Sequence, residues 1–168
     1  KKTNSNKIAI AHNKNDKIET IIMHLLRGSG LSGLKGIEPI RSNKYIRPLI
    51  ECERQVIEEY CEENKLNPRI DKTNFENEYT RNKIRNIVIP YIQKEFNPNI
   101  IHTLDRLSQV ATEESSYIDN QTQAIYNQII IEENDKKIVI DLNKFNKQEE
   151  VIKRRLVLKT IKKLKGST

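Results

Sequence analysis

Hydrophobic residues near the start of the chain change from a short run to a helical spacing. Residues 7–11 are largely apolar, which is typical of a buried parallel strand. Over residues 16–27 the apolar positions recur at helical spacing, so the pattern predicts an amphipathic helix. Gly28 stands where a helix C-cap belongs. A strand followed directly by a helix is therefore the first predicted unit of the fold.

Up to residue 97 the pattern predicts a glycine-rich loop, a hairpin and two further helices. Pro48 removes a backbone donor, so the second hairpin strand should end there or lie at a sheet edge. Thr80 is the predicted N-cap of the second helix. The inner face of the first helix is assigned to Val56, Ile57, Tyr60 and Cys61. The bounds are 29–36 for the loop, 37–41 and 45–50 for the hairpin, and 53–65 and 80–95 for the helices.

The second half of the pattern contains two long helices separated by a small hairpin. Residues 97–99 form the best linker candidate, and a long helix follows over residues 100–128. Residues 148–164 predict another helix. Its apolar face is assigned to Ile152, Leu156, Val157, Ile161 and Leu164, and the hairpin strands to residues 129–131 and 138–142.

These elements predict an α/β fold in two parts. Residues 1–97 would form a parallel sheet with helices, and residues 98–168 a mainly helical subdomain with a small hairpin. The first strand is so apolar that it needs neighbours on both sides, and the chain starts without a methionine. We therefore expect a fragment whose earlier strands are missing.

The charge of the chain changes the picture most near its end. The formal net charge is +7, which suggests a polyanionic partner such as nucleic acid. No acidic residue follows residue 150, whereas seven basic ones do. Two interpretations stay open: contact with nucleic acid phosphates, or a helix that its lysines merely keep solvated. The seven are Lys153, Arg154, Arg155, Lys159, Lys162, Lys163 and Lys165.

Cysteine spacing and hydropathy narrow the class of protein. Cys52 and Cys61 match no zinc or redox spacing, so we expect two reduced thiols in a cytoplasmic protein. No apolar run approaches the length of a membrane span, and no signal peptide opens the chain. We therefore expect no membrane partner.

Three polar residues gather at the turn between the first strand and helix. His12, Asp16 and Glu19 would lie at the carboxyl end of the strand, where ligands bind in open α/β sheets. Asp16 and Glu19 are three positions apart and can face one site. The same spacing also fits a helix capping box with Asp16 as N-cap, and His12 fits an ordinary strand-end histidine. A cap can also offer its carboxylate to a ligand.

Two arginines open the helix predicted at residues 80–95. Arg81 and Arg85 are four positions apart and share a face. Cations at a helix start oppose the macrodipole, at a cost on the order of 0.3–1 kcal/mol each. Their presence suggests an anionic ligand, and the alternative is a solvated basic turn paired with Glu76 and Glu78.

Read together, these stretches resemble the tRNA(Ile)-lysidine synthetase family of the PP-loop ATP pyrophosphatase superfamily. The family carries Ala-His-His-x-Asp-Asp-Gln-x-Glu-Thr, followed by a helix that ends Leu-x-Arg-Gly-Ser-Gly-Leu-x-Gly-Leu. Ile-Arg-Pro-Leu, Asp-x-[Ser/Thr]-Asn, Thr-Arg-Asn-x-Ile-Arg and Arg-Arg-x-x-Leu come next, in that order. The corresponding positions here are 11–34, 46–49, 71–74, 80–85 and 154–158.

The resemblance implies a fold and a reaction. The fold would be the C-terminal half of a Rossmann-like PP-loop domain, followed by the helical subdomain. The reaction would use ATP and Mg²⁺ to adenylate C2 of the wobble cytidine in tRNA(Ile) with a CAU anticodon. Free L-lysine would then attack through its ε-amine. Family members are often dimers, so the resemblance also implies a homodimer.

The resemblance also assigns roles to residues. His12, Asp16 and Glu19 would be catalytic, with Asp16 and Glu19 positioning lysine and Asp16 touching Mg²⁺. Arg81 and Arg85 would lie near substrate and nucleotide. Contacts to tRNA would come from Arg27, Arg154, Arg155, Lys159, Lys162 and Lys163.

Several features depart from the family pattern. Asn13 replaces the second His of the family and Asn15 the first Asp, which weakens any metal role for this turn. Lys17 replaces a Gln and adds a positive charge beside the site. The nucleotide loop Ser-Gly-Gly-x-Asp-Ser does not occur, so we expect the phosphate-binding half to lie outside this chain and the fragment alone to be inactive.

Two other functions remain open at this stage. The first is another PP-loop tRNA-modifying enzyme, such as a thiolation enzyme, although those usually carry cysteine pairs that Cys52 and Cys61 do not match. The second is a non-catalytic RNA-binding helical module that uses the basic tail.

Overall fold

A computed structural model describes residues 4–69, 76 and 78–166 of the chain. It is a mixed α/β structure that is mainly helical, with two small sheets. The chain divides into two compact units, residues 1–112 (unit 1) and 113–168 (unit 2). This division falls within a helix, after the predicted linker at residues 97–99, and the division into residues 1–97 and 98–168 stays a prediction. The motif at positions 71–74 lies outside the described residues.

The sheet of unit 1 has three short strands in the order β1-β3-β2. β1 (Ile8–Ala9) pairs in parallel with β3 (Tyr45–Ile46), and β2 (Ile40–Arg41) pairs with β3 in antiparallel fashion. The predicted parallel strand is confirmed, but its predicted burial is wrong, since Ile8 is 46% exposed. Because β1 lies at the edge of the described sheet, its side chains stay open to solvent.

The hairpin between β2 and β3 is confirmed, with shorter strands than predicted. Ser42 and Asn43 in its turn have φ of 51° and 49°. Both values lie in the left-handed region that the two central residues of a type I′ turn require, and Asn tolerates it well. β3 ends at Ile46, before Pro48, as the missing proline donor predicts.

α1 (Lys14–Leu26) supplies the centre of the unit 1 core. Ile18, Ile21 and Ile22 are buried and pack with Ile84 and Ile89. The predicted apolar face is therefore confirmed in part, because Leu25 and Leu26, which share its spacing, are exposed. The loop predicted after α1 contains a short helix, α2 (Leu31–Leu34). A Cβ on Gly33 of this helix would lie 2.4 Å from Cβ of Ser29, so the turn requires glycine.

α3 (Arg54–Glu63) confirms the helix predicted at residues 53–65, but its assigned inner face is partly wrong. Ile57 and Cys61 are half-buried, whereas Val56 and Tyr60 are exposed. Helical periodicity locates an apolar stripe, and only the neighbouring elements decide how much of the stripe is covered.

The segment predicted as one helix over residues 80–95 is helical throughout. It consists of α4 (Thr80–Lys83), a π turn (Ile84–Val88) and α5 (Ile89–Glu95). Thr80 is the first helical residue rather than the N-cap, which is Tyr79. In the π turn the Ile89 N–H donates to the Ile84 carbonyl, five positions back. Both isoleucines are buried in the same cluster.

α6 (Ile100–Ile129) confirms the predicted long helix, and its residues from 113 onward belong to unit 2. It is followed by β4 (Ile130–Glu133), β5 (Ile138–Ile140), α7 (Leu142–Asn146) and α8 (Glu150–Lys165). β4 and β5 pair in antiparallel fashion, so the second hairpin is confirmed. α7 was not predicted, although the Asp141 side chain caps it by accepting the Lys144 N–H at 3.0 Å.

The core of unit 2 lies between α8 and the end of α6. Tyr126, Ile129, Ile152 and Leu156 form its buried cluster. Two of the five residues predicted for the apolar face of α8 are therefore buried, whereas Val157, Ile161 and Leu164 are exposed. Within the part of the chain that the structure describes, no helix combines the length and apolarity that crossing a membrane requires.

Candidate functional site

The N-terminus of α1 is capped by Asn13 rather than by Asp16. The Asn13 side chain accepts the Asp16 N–H at 3.0 Å, and Asp16 Oδ2 accepts the Asn13 N–H at 2.9 Å. A capping box is therefore present, but it begins three residues before the predicted one. This register places Asp16 in the first helical turn and leaves its Oδ1 atom available for a second contact.

Two acids of α1 and two arginines from the segment 80–88 form a compact cluster, which we call the charged quartet. Its members are Asp16, Glu19, Arg81 and Arg85. Arg81 Nε and Arg85 Nε donate to the two Glu19 carboxylate oxygens at 2.7 and 2.6 Å. Arg81 Nη2 and Arg85 Nη2 both donate to Asp16 Oδ1, at 3.0 and 3.1 Å. Four predicted site residues from two distant segments thus share one location.

Burial differs sharply among the members of the charged quartet. The Glu19 side chain is 1% exposed and Asp16 15%, whereas Arg85 is 22% and Arg81 36% exposed. The pKa of Arg85 is raised above its ordinary value, first by its hydrogen bond to Glu19 and against the effect of desolvation. The two negative charges are therefore held by two permanent positive charges, and a ligand entering from solvent would meet the two arginines before the carboxylates.

This arrangement does not fit a divalent cation at Asp16. One Asp16 oxygen accepts from two guanidinium groups and the other accepts a backbone N–H. Hard cations bind carboxylate oxygens that are free to coordinate, and adjacent positive charges oppose them. Among the described residues, no group of three or more acidic, histidine or cysteine side chains is arranged to hold a metal ion. The arrangement therefore argues against the Mg²⁺ contact expected for Asp16.

His12 contacts Arg47, a residue for which no role was predicted from the sequence. Arg47 Nε donates to His12 Nδ1 at 3.1 Å. In the described residues His12 takes no part in the hydrogen bonds that join the charged quartet. Arg47 lies in the Ile-Arg-Pro-Leu stretch that supported the family resemblance, and this was the one signal that could have marked it.

The three departures from the family pattern have structural roles. Asn13 caps α1, and Asn15 Oδ1 accepts the Arg54 N–H at 2.9 Å at the start of α3. Lys17 was predicted to add a positive charge beside the site. It is instead buried and pairs with Asp105 at 2.8 Å, so its charge is not free. The partner lies 88 positions away, so no local pattern revealed it.

A groove of about 1060 Å³ opens beside the charged quartet. Asp16 and Arg85 line one part of it, and Ile57 and Cys61 of α3 line another. Sites of this size with a mixed lining are typical of small-molecule binding. The groove gives a ligand access to the quartet from the side of Asp16 and Arg85.

Half of the basic residues assigned to tRNA contact are engaged within unit 2. Arg155 pairs with Asp119, Lys159 donates to Gln123, and Lys163 pairs with Glu133. Lys163 Nζ also lies 4.6 Å from the centroid of the Tyr126 ring. We call Arg155, Lys159 and Lys163 the inner stripe.

The other predicted tRNA contacts are exposed. Arg154 and Lys162 lie on α8, as does Lys165, and we call these three the outer set. Arg27 is the exposed C-cap residue of α1, followed by Gly28 with a φ of +75°.

Comparison with known proteins identifies relatives along the whole chain. A family model described as a PP-loop domain matches residues 1–92. The tRNA(Ile)-lysidine synthase of Caldanaerobacter subterraneus is 46% identical over 168 residues, which is all of this chain and 36% of that protein. Those of Clostridioides difficile and Clostridium acetobutylicum are 45% and 47% identical over 167 and 150 residues, which cover 99% and 89% of this chain. The shares of these two proteins are 36% and 32%, so the chain spans about a third of the length of these relatives.

The family match corrects one expectation. The nucleotide loop and the phosphate-binding half of the domain were expected to lie outside this chain, which conflicts with the match of residues 1–92 to a PP-loop domain, although the sequence contains no Ser-Gly-Gly-x-Asp-Ser run. Because the matched region covers more than half of the residues, this chain belongs to the PP-loop domain family.

Proposed function

We propose that this chain forms part of an ATP-dependent tRNA(Ile)-lysidine ligase. Such an enzyme joins lysine to C2 of the wobble cytidine in tRNA(Ile) with a CAU anticodon, through an adenylated intermediate. Support comes from relatives named tRNA(Ile)-lysidine synthase that are 45–47% identical to the chain, and from the order of the shared motifs. The PP-loop domain match supports the use of ATP. A tRNA substrate would place the reaction in the cytoplasm.

The charged quartet is the observation that carries this proposal. Free lysine is an amino acid with a carboxylate and an α-ammonium group, so its binding site needs both signs of charge within a few ångströms. Arg81 offers guanidinium N–H groups and Asp16 a carboxylate, and both are partly exposed at one location. Guanidinium groups bind carboxylates with well-defined geometry, and carboxylates bind ammonium groups strongly.

Glu19 would act through the arginines rather than by touching the substrate. It is buried, and both of its oxygens accept guanidinium N–H groups. A carboxylate held in this way fixes the direction of the remaining Arg81 and Arg85 donors. Arginines oriented before the ligand arrives lose less freedom on binding, which favours affinity and correct alignment.

The remaining parts of the proposal concern the nucleotide, the RNA and the assembly. Residues 1–97 would form half of a Rossmann-like domain, and the groove beside the quartet would admit the reacting groups. His12 would serve the reaction from the end of β1. We assign tRNA contact to the outer set and Arg27, because the inner stripe already has partners within unit 2. A homodimer stays a prediction from the family resemblance.

The test is Asp16→Asn in the full-length protein, with lysine incorporation into tRNA(Ile) and tRNA affinity measured side by side. Losing a charged hydrogen bond to the substrate costs roughly 1.5–3 kcal/mol, so we expect kcat/KM for lysine to fall about 10- to 150-fold. Binding of tRNA should be unchanged. Asp135→Asn, at an exposed position in the β4–β5 turn, is the matched control.

Two outcomes would contradict the proposal. A non-catalytic RNA-binding module would show no lysine incorporation even in the unmodified protein. Full lysine incorporation by the Asp16→Asn variant would show that the charged quartet is not part of the substrate site.

A further inference from the structure

Arg47 is fixed at three points immediately after β3. Its backbone N–H donates to the Pro39 carbonyl at 2.9 Å. Its Nη1 donates to the Glu38 carbonyl at 2.6 Å, and its Nε donates to His12 Nδ1 at 3.1 Å. A side chain held at both ends of its guanidinium group has little rotational freedom, so the direction of its Nε–H bond is set by the fold.

The strand pairing explains why these two side chains meet. β1 and β3 are parallel, and the ladder continues with the Ile10 N–H donating to the Ile46 carbonyl at 2.9 Å. His12 and Arg47 therefore leave the carboxyl ends of neighbouring strands at the same edge of the sheet. Ligands of open α/β folds bind at this edge.

The chemistry of the contact fixes the state of the imidazole. A guanidinium group only donates hydrogen bonds and stays charged at any pH that proteins tolerate. His12 Nδ1 must therefore be the acceptor and carry no hydrogen. In the neutral ring the hydrogen then lies on Nε2, which leaves Nε2–H as the donor of this side chain.

We infer that Arg47 is a positioning residue that holds His12 with its ring hydrogen on Nε2, so that Nε2–H is the donor that His12 offers at this sheet edge. The anion class that such a donor serves is a phosphate oxygen, because an N–H at this sheet edge complements the charge of a phosphoryl group. This last step rests on the proposed function, in which ATP is the source of that group. The contact between Arg47 and His12 itself does not depend on it.

The direct test needs no substitution. In uniformly ¹⁵N-labelled full-length protein, we expect a through-hydrogen-bond coupling between Arg47 Nε and His12 Nδ1, with the ring hydrogen on Nε2. The variant His12→Gln assigns the signals, since its spectrum lacks those of His12. A His12 ring that carries its hydrogen on Nδ1 would overturn the inference.

A double-mutant cycle tests whether Arg47 acts through His12. For lysine- and tRNA-dependent AMP release, we expect Arg47→Gln to lower kcat about tenfold with little change in KM for lysine. The same substitution should have no further effect in a His12→Gln background, because the residue it positions is already absent. Independent, multiplicative losses from the two substitutions would overturn the inference.

Two controls separate positioning from general damage. Arg41→Gln removes the same charge from an exposed position of the same sheet and should leave kcat unchanged. Arg47→Lys keeps the charge but lacks the planar fork, so it should lose the coupling and reproduce the fall in kcat if Arg47→Gln fails to fold. If AMP release by the unmodified protein did not depend on lysine, the proposed function would be refuted. The coupling experiment would still decide whether Arg47 contacts His12 as inferred.

Discussion

Unit 1 and unit 2 both join basic side chains to carboxylates, but they do so at very different depths. In the charged quartet of unit 1, Glu19 is 1% exposed and accepts from two arginines. In unit 2, Lys163 and Glu133 form a pair whose side chains are 41% and 37% exposed. The same type of contact therefore has different consequences. A buried carboxylate depends on its partners, whereas an exposed pair is screened by water and contributes little.

The comparison also separates residues that hold the fold from residues that a ligand can reach. In unit 1 the deep acid fixes two arginines, and Asp16 and Arg85 line the groove beside the quartet. In unit 2 the inner stripe attaches α8 to its neighbours, and the outer set is left exposed. In both regions some charged side chains hold the fold together, and others remain accessible to a ligand.

The largest effect that tests this comparison is expected at Glu19. Glu19→Gln removes the buried negative charge and leaves two arginines with one fewer partner, which should lower the free energy of unfolding by about 3 kcal/mol. Urea unfolding of the full-length protein measures the change, and hydrogen exchange of the α1 amides measures it locally. Glu58→Gln, which breaks the exposed Arg54–Glu58 pair, should cost less than about 1 kcal/mol. Equal effects of the two substitutions would contradict the difference in depth.

A second experiment compares the two halves of the basic surface of α8. Replacing the outer set Arg154, Lys162 and Lys165 by Gln should reduce the slope of log affinity for tRNA against log salt by roughly 2 to 3. The reason is that each phosphate contact that is lost lowers the number of counterions released when tRNA binds. Replacing the inner stripe Arg155, Lys159 and Lys163 changes the charge equally and should alter the slope less. A larger change from the inner stripe would reverse the assignment.

The smallest effect is the pH dependence of the Lys163–Glu133 pair. The hydrogen bond to Lys163 lowers the pKa of Glu133 from 4.5, so its contribution is present above pH 4.5 and is lost as the pH falls through the lowered value. The hydrogen bond to Glu133 raises the pKa of Lys163 from 10.5, so the contribution is complete below pH 10.5 and is lost as the pH rises above it.

Thermal melting across this range measures the effect. The difference in melting temperature between the unmodified protein and Lys163→Met should be greatest between these limits and should shrink in stronger acid and base. A difference that stays constant in acid and shrinks only in base would assign the role of Lys163 to its contact with the Tyr126 ring instead, because that contact needs the charged lysine but not the Glu133 carboxylate.

The sequence by itself determined the elements whose signals are local. Apolar spacing located α1, α6 and α8, and turn chemistry located both hairpins, because each signal is contained within about twenty residues. The sequence also brought Asp16 and Glu19 to one helix face, and Arg81 and Arg85 to another, since the period of a helix fixes which side chains are neighbours.

Only the tertiary structure decided which of these faces meet and what they bury. Glu19 and Arg81 are 62 positions apart, and Lys17 and Asp105 are 88 positions apart, so no local pattern connects them. Asn13 caps α1 in place of Asp16, and the Asp16 carboxylate accepts both a backbone N–H and donors from two arginines of a distant segment. Val56 and Tyr60 stay exposed for a related reason: periodicity shows where an apolar stripe lies, and burial requires a neighbour that packs against it.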